Sequence, residues 1–140
     1  MRILAVDYGE RRTGLAVSDE LGITAQGLDT MIMDSEEHIP QAIADVAEQY
    51  GAGIILFGLP LNMNGTESEK SMKVREVAQC VGEMTGCEVE FLDERMTSLR
   101  AGQIMRDMGR KTKNGKHIID RLSATILLQD YLQARGYERP

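Results

Sequence analysis

The sequence predicts an α/β domain with a mixed five-stranded sheet flanked by helices. Three observations predict it. Three short apolar segments between residues 3 and 28 are joined by connections too short for a crossover, which requires an antiparallel meander. Helical and strand patterns then alternate from residue 36 to residue 92, the order that builds parallel strands. Residues 53–58 (GIILFG) form a continuous apolar run, the pattern of a strand covered on both faces. A length of 140 residues fits one domain over 1–140.

The first strand is the apolar run 3–6, which ends at Asp7. A polar turn (YGERR) leads into a second strand over 13–18, and a third covers 23–28. Asp34 and Glu37 have capping-box spacing, and Ile39, Ile43, Val46 and Ala47 follow at helical intervals. A helix is therefore expected over 36–50, stopped by Gly51. After the strand at 53–58, a polar loop leads to Thr66 and Glu69, a second capping-box pair that opens a helix to about residue 84. The fifth strand is 88–92. Thr97 or Ser98 caps a short helix to about residue 108, and residues 109–115 lack apolar side chains and read as an exposed loop. The last helix starts near His117, with Ile118, Ile119, Leu122, Ile126, Leu127 and Tyr131 on its core face. That order of elements suits an RNase H-like sheet. Met72, Met84, Met105 and Met108 sit at helical positions and read as core filling.

Charge is unevenly distributed. The net charge is −6, but residues 1–94 carry 6 basic and 18 acidic side chains, a balance of −12, whereas residues 95–140 carry 10 and 4, a balance of +6. A basic stretch on an acidic body suits a phosphate-bearing partner, and it equally suits a solvated helix face. The two cysteines, Cys80 and Cys87, match no zinc spacing and read as reduced thiols. No apolar run approaches the ~18 residues of a membrane span, and the apolar run at the start is too short for a signal peptide. A cytoplasmic protein without a membrane partner is expected.

Three acids stand where sites form. Asp7 ends the first strand, Glu94 follows the fifth, and Asp120 lies in the first turn of the last helix. Open α/β sheets bind ligands at the carboxyl ends of their strands. Carboxylates gathered there repel one another, and a hard divalent cation such as Mg²⁺ or Mn²⁺ relieves the repulsion. Taken singly, each acid also has an ordinary reading: a turn residue, a surface charge, or an acid stabilising a helix N-terminus.

Four blocks add to this reading. Residues 5–19 (AVDYGERRTGLAVSD), 57–66 (FGLPLNMNGT), 92–98 (LDERMTS) and 120–132 (DRLSATILLQDYL) resemble, in order and spacing, the motifs of the YqgF/RuvX family, and they span nearly the whole chain. That family is similar in fold to Holliday-junction resolvases, and its bacterial members are implicated in maturing the 5′ end of 16S ribosomal RNA. The resemblance implies a metal-dependent endonuclease with Asp7, Glu94 and Asp120 as catalytic residues and as ligands of Mg²⁺ or Mn²⁺. It implies pre-16S rRNA or a pre-ribosomal particle as partner, with branched DNA as the alternative. The acid that resolvases carry on the fourth strand has no counterpart, because this strand runs into Gly58, Leu59 and Pro60. Asp93 is the substitute ligand should Glu94 not serve.

Arg11, Arg12 and Arg95 flank the expected site and can bind phosphate bidentately. Asn62, Asn64 and Thr66 precede a helix N-terminus, a natural phosphate site; turn formation and a Thr cap explain them equally well. Lys111, Lys113 and Lys116 lie on a loop that can close over substrate. His117 stands one turn before Asp120, within reach of a proton transfer or simply at a helix start. No dimerisation surface is legible, so a monomer or weak homodimer is expected. Two other classes remain open: a non-catalytic RNA-binding factor, and a nucleotide binder of the actin/sugar-kinase type, whose phosphate motif resembles the turn after Asp7.

Overall fold

The computed structural model describes residues 1–96 and 115–138, with side chains over 1–96 and 122–136. The chain runs β1 (Arg2–Asp7), β2 (Arg12–Ser18), β3 (Ala25–Gly27), β4 (Met31–Ile32), α1 (Ile39–Tyr50), β5 (Ala52–Leu59), α2 (Glu69–Thr85), β6 (Glu88–Asp93) and α3 (Gly115–Glu138). The sheet order is β3-β2-β1-β5-β6, with β4 paired to β2. β1 and β2 are antiparallel, while β1–β5 and β5–β6 are parallel.

The mixed sheet is as predicted, with one strand more among the described residues. β4 pairs Ile32 with Arg12 and Met31 with Thr13, extending the sheet beside the start of β2. Two residues are too few to show alternation, so the sequence pattern could not reveal it. β3 is shorter than expected. The backbone N–H groups of Ile23 and Thr24 donate to Asp19 Oδ1 at 2.7 and 3.0 Å, which holds both residues in a turn and leaves Ile23 exposed.

Both helix starts differ from the expected capping boxes. Ser35, not Asp34, accepts from Glu37 N, and it opens a 3₁₀ turn at Glu36–His38 before α1 begins. Pro40 follows at the first helical positions, where its missing N–H has no intrahelical partner to lose. For α2 the reciprocal pair is Ser68 and Ser71 rather than Thr66 and Glu69. Ser68 Oγ accepts from Ser71 N at 2.9 Å and donates to the carbonyl of Pro60 at 2.6 Å, tying the helix start to the end of β5.

Strand alternation sorts the core into two layers. Leu4, Val6, Ile55 and Phe57 pack against Ile39, Ile43, Val74 and Val77 of α1 and α2. Ile3, Ala5, Ile54 and Leu56 face Ala124, Leu127 and Leu128 of α3. Ala5 of β1 lies opposite Ala16 of β2, and both are fully buried. These two methyl groups give a flat bed on which α3 lies close to the sheet. α3 therefore buries Ala124, Leu127 and Leu128, while Leu122, Ile126 and Tyr131 from the expected core face are only partly buried. Each fully buried Leu, Ile or Phe contributes roughly 1.5–3 kcal/mol.

Met72 and Met84 are not core residues: they are 50% and 53% exposed on the outer side of α2. Valines at 74, 77 and 81 fill the inner side instead, a face offset by two to three residues from the one the methionines suggested. Met105, Met108, the short helix expected from Thr97 or Ser98, and most of the loop at 109–115 lie outside the described residues. No helix of the described residues is long and apolar enough to cross a membrane.

Candidate active site

Asp7 is the last residue of β1 and shares a face with Ile3 and Ala5, the face covered by α3. It is half-buried and lies opposite Gly14 of β2. On the other side of β1, Val6 is paired with Phe57 of β5, so Asp7 and Gly58 are the next residues along two neighbouring parallel strands. Gly58 shares its face with Ile54 and Leu56, again the α3 side.

Glu94 begins the 3₁₀ turn Glu94–Met96 directly after β6 and reaches back over this glycine. A Cβ on Gly58 would stand 2.6 Å from Glu94 Oε1, 3.3 Å from Glu94 Cγ and 3.2 Å from Leu127 Cδ2. A side chain at position 58 would thus occupy the volume that the Glu94 carboxylate uses. The carboxylate comes from the strand next door and arrives over the carboxyl end of β5, beside β1 and Asp7. A glycine that breaks an otherwise unbroken apolar strand is a recognised sign of such a close approach. Sequence reasoning marks Gly58 as a missing acid and misses that it makes room for Glu94.

Asp120 belongs to α3, seven residues before Leu127, a rise of about 10 Å along the helix. Its side chain lies outside those described. Among the described residues no cluster of three or more metal-ligating side chains forms. The Asp7 and Glu94 carboxylates are hard oxygen donors on one edge and one face of the sheet, a donor set that fits Mg²⁺ or Mn²⁺.

Asp93 is committed elsewhere. Arg95 Nε donates to Asp93 Oδ1 and Oδ2 at 3.2 and 3.1 Å, and Arg95 Nη2 donates to Oδ2 at 2.7 Å. The guanidinium holds the Asp93 carboxyl below the usual range. Arg95 Nη1 also donates to the carbonyl of Met63 at 3.0 Å.

Among the expected phosphate-binding residues, Arg12 shares the α3 face with Gly14 and Ala16. Its Nη1 is buried with no hydrogen-bond partner among the described residues. Arg11 is exposed. Asn62, Asn64 and Thr66 bond one another: Asn62 Nδ2 donates to Thr66 Oγ1 at 3.0 Å, and Thr66 Oγ1 donates to Asn64 Oδ1 at 2.7 Å. Asn62 N donates to the Thr66 carbonyl at 2.9 Å, closing the turn. Lys111 and Lys113 lie outside the described residues, as do the side chains of Lys116 and His117.

The sheet is RNase H-like, with Asp7 and Glu94 at the carboxyl end of its central strands, on the face covered by a single helix. Solved structures carry the same fold: Thermus thermophilus RuvC in complex with a Holliday junction substrate aligns with a TM-score of 0.63 at 17% identity, covering 97% of this chain and 96% of that one. The fowlpox virus resolvase with Holliday junction DNA aligns at 0.59 and 13% identity, covering 96% and 99%. The family "RuvX: Holliday junction resolvase" matches residues 1–134, and the chain belongs to that family. Two relatives carry the name "Putative pre-16S rRNA nuclease". One, from Koribacter versatilis, is 42% identical over 99% of this chain and 90% of its own length. The other, from Dictyoglomus thermophilum, is 37% identical over 99% of both chains.

Proposed function

We propose that this protein is a metal-dependent endonuclease that hydrolyses phosphodiester bonds in maturing the 5′ end of pre-16S ribosomal RNA. One domain, 1–140, carries the activity. Asp7, Glu94 and Asp120 act as catalytic residues and hold Mg²⁺ or Mn²⁺. The observation that carries the reading is Glu94 over Gly58: it supplies an acid at the end of β5, beside Asp7, although β5 has no acid of its own. The place of Glu94 over Gly58, on the sheet face that Asp7 shares, supports Glu94 over Asp93 as the ligand.

A bound divalent ion would activate water and stabilise charge at phosphorus. The chain's own part is to position and to neutralise. Asp7 and Glu94 fix the edge at which the phosphodiester meets water. Arg12, whose Nη1 is buried on the same face with no hydrogen-bond partner among the described residues, supports a contact to a phosphate oxygen beside the scissile bond. Arg11, Asn62, Asn64, Thr66 and the lysines 111, 113 and 116 extend the contact to flanking backbone. Arg95, already bonded to Asp93 and Met63, acts on that backbone through the loop it holds. The relatives' shared name favours RNA over branched DNA.

The test is competition. A 5′-extended 16S precursor, alone and within pre-ribosomal particles, and a four-way DNA junction are offered together with Mg²⁺. Cleavage of the RNA ahead of the junction is expected. Cleavage of the junction alone would replace RNA with branched DNA, and binding without cleavage of either would make the protein a binding factor.

A further inference from the structure

We propose that Arg95 is a positioning residue, paired with Asp93 as a latch between the end of β6 and the loop at residues 62–66. The latch sets the loop beside the acidic edge and keeps Asp93 turned away from the ion that Glu94 faces. The part that concerns the ion rests on the proposed nuclease function; the part that concerns the loop does not.

Three contacts carry the inference. Asp93 takes both sides of the guanidinium fork, through Nε and Nη2, and its Oδ1 also accepts from Arg95 N at 3.0 Å. The remaining nitrogen, Nη1, reaches the Met63 carbonyl across 32 residues of sequence. The same guanidinium lies against Gly65, where an added Cβ would stand 3.4 Å from Nη2 and 3.5 Å from Nη1. Gly65 has φ +87°, a backbone conformation that calls for glycine, and a Cβ there would make only ordinary contact with the guanidinium. The turn satisfies its own polar groups through Asn62, Asn64 and Thr66, so it is a preformed unit that Arg95 grips from outside. The loop begins three residues after Leu59, the end of β5, whose Gly58 lies against the Glu94 carboxylate. A planar fork can satisfy a carboxylate and a carbonyl in two directions at once; an ammonium on a flexible stem cannot hold that geometry. Because the pair is bidentate, it exceeds the small worth of an ordinary surface ion pair.

The test uses the full chain with Arg95→Ala, Arg95→Lys, Asp93→Asn and the double variant. Hydrogen exchange reports the loop without any need for activity. In Arg95→Ala and in Asp93→Asn the amides of Asn62, Gly65 and Thr66 should exchange faster by roughly tenfold, the worth of one charged hydrogen bond, with no further gain when the two are combined. Arg95→Lys should behave like Arg95→Ala. Titration with Mn²⁺ alone should give the same affinity as wild type for Asp93→Asn, because the latch keeps that carboxylate off the ion. On cleavable RNA, KM should rise about tenfold with kcat nearly unchanged. Loop exchange unchanged in Asp93→Asn but weaker RNA binding in Arg95→Ala would overturn the latch and make Arg95 a direct phosphate ligand. Loss of Mn²⁺ affinity in Asp93→Asn, with Arg95→Ala normal, would overturn it in favour of Asp93 as the metal ligand. If the exchange results hold while no RNA is cut, the latch stands and the nuclease reading falls.

Discussion

Glu94 uses the space that Gly58 leaves empty: its Oε1 lies 2.6 Å from where a Cβ at position 58 would stand. An acid therefore reaches the end of β5 from the turn that follows β6, and the glycine leaves it the room. Gly58→Ala should push the carboxylate aside. Because a carboxylate at the end of a flexible side chain yields readily, stability should fall by only about 1 kcal/mol, the low end of overpacking effects. Affinity for Mn²⁺ should fall by roughly 10–100-fold, as when the support of a metal ligand is removed. Calorimetric titration alongside thermal unfolding separates the two. Wild-type affinity in a folded Gly58→Ala protein would remove Glu94 from the metal site.

Ser68 holds α2 to the end of β5 through Ser71 N and the Pro60 carbonyl. Ser68→Ala should lower stability by about 1–2 kcal/mol, at the upper part of the range for a lost N-cap, because the Pro60 bond goes with it. Urea unfolding measures this. A loss below a few tenths of a kcal/mol would mean that Thr66 or another residue takes over the cap.

Tyr131 of α3 donates its hydroxyl to Glu90 of β6, and burial together with that bond pushes its pKa up to about 12. The folded state therefore holds the phenolic proton more tightly than the unfolded chain. The resulting stability is fully present below the unfolded value of 10.0 and is lost as pH rises from there through about 12. Burial also raises Tyr8, so absorbance of the phenolate should show a late-titrating fraction among the four tyrosines, and Tyr131→Phe should remove the part of it that titrates near 12. A Tyr131→Phe protein with an unchanged titration curve would contradict the assignment.

Asp93 shows the opposite sign. Its carboxyl is held below the ordinary 3.8 by Arg95, so the pair contributes stability above that value and loses it as pH falls below it. Acid unfolding of Asp93→Asn should begin from a lower baseline stability and show less steepening below pH 4. Identical acid limbs in the two proteins would show that the pair contributes nothing.

Much of this was legible beforehand, and for identifiable reasons. β5 announced itself because a strand covered on both faces leaves an unbroken apolar run. Asp7 and Glu94 stand out in the sequence because one ends a strand and the other follows one, and the sheet brings both to the α3 face. The faults have physical causes as well. Ser35 and Ser68 cap the helices in place of Asp34 and Thr66 because several cap-forming side chains stand close together in each stretch, and local backbone geometry decides among them. Met72 and Met84 sit at helical spacing, yet the valines at 74, 77 and 81 offer the tighter core face. The commitment of Arg95 to Asp93 and Met63 joins residues 32 apart in sequence, which no local pattern encodes.

The most direct test of the central claim is cleavage of a 5′-extended 16S precursor by wild type and by Asp7→Asn, each with Mg²⁺, Mn²⁺ or EDTA. Asp7 is half-buried at the end of β1, and the amide preserves its shape while removing its charge. Cutting by the wild type with either metal, abolished by EDTA and reduced by at least about 100-fold in Asp7→Asn, is the predicted result. Cutting that persists in EDTA, or in Asp7→Asn at the wild-type rate, would contradict a metal-dependent site built on Asp7.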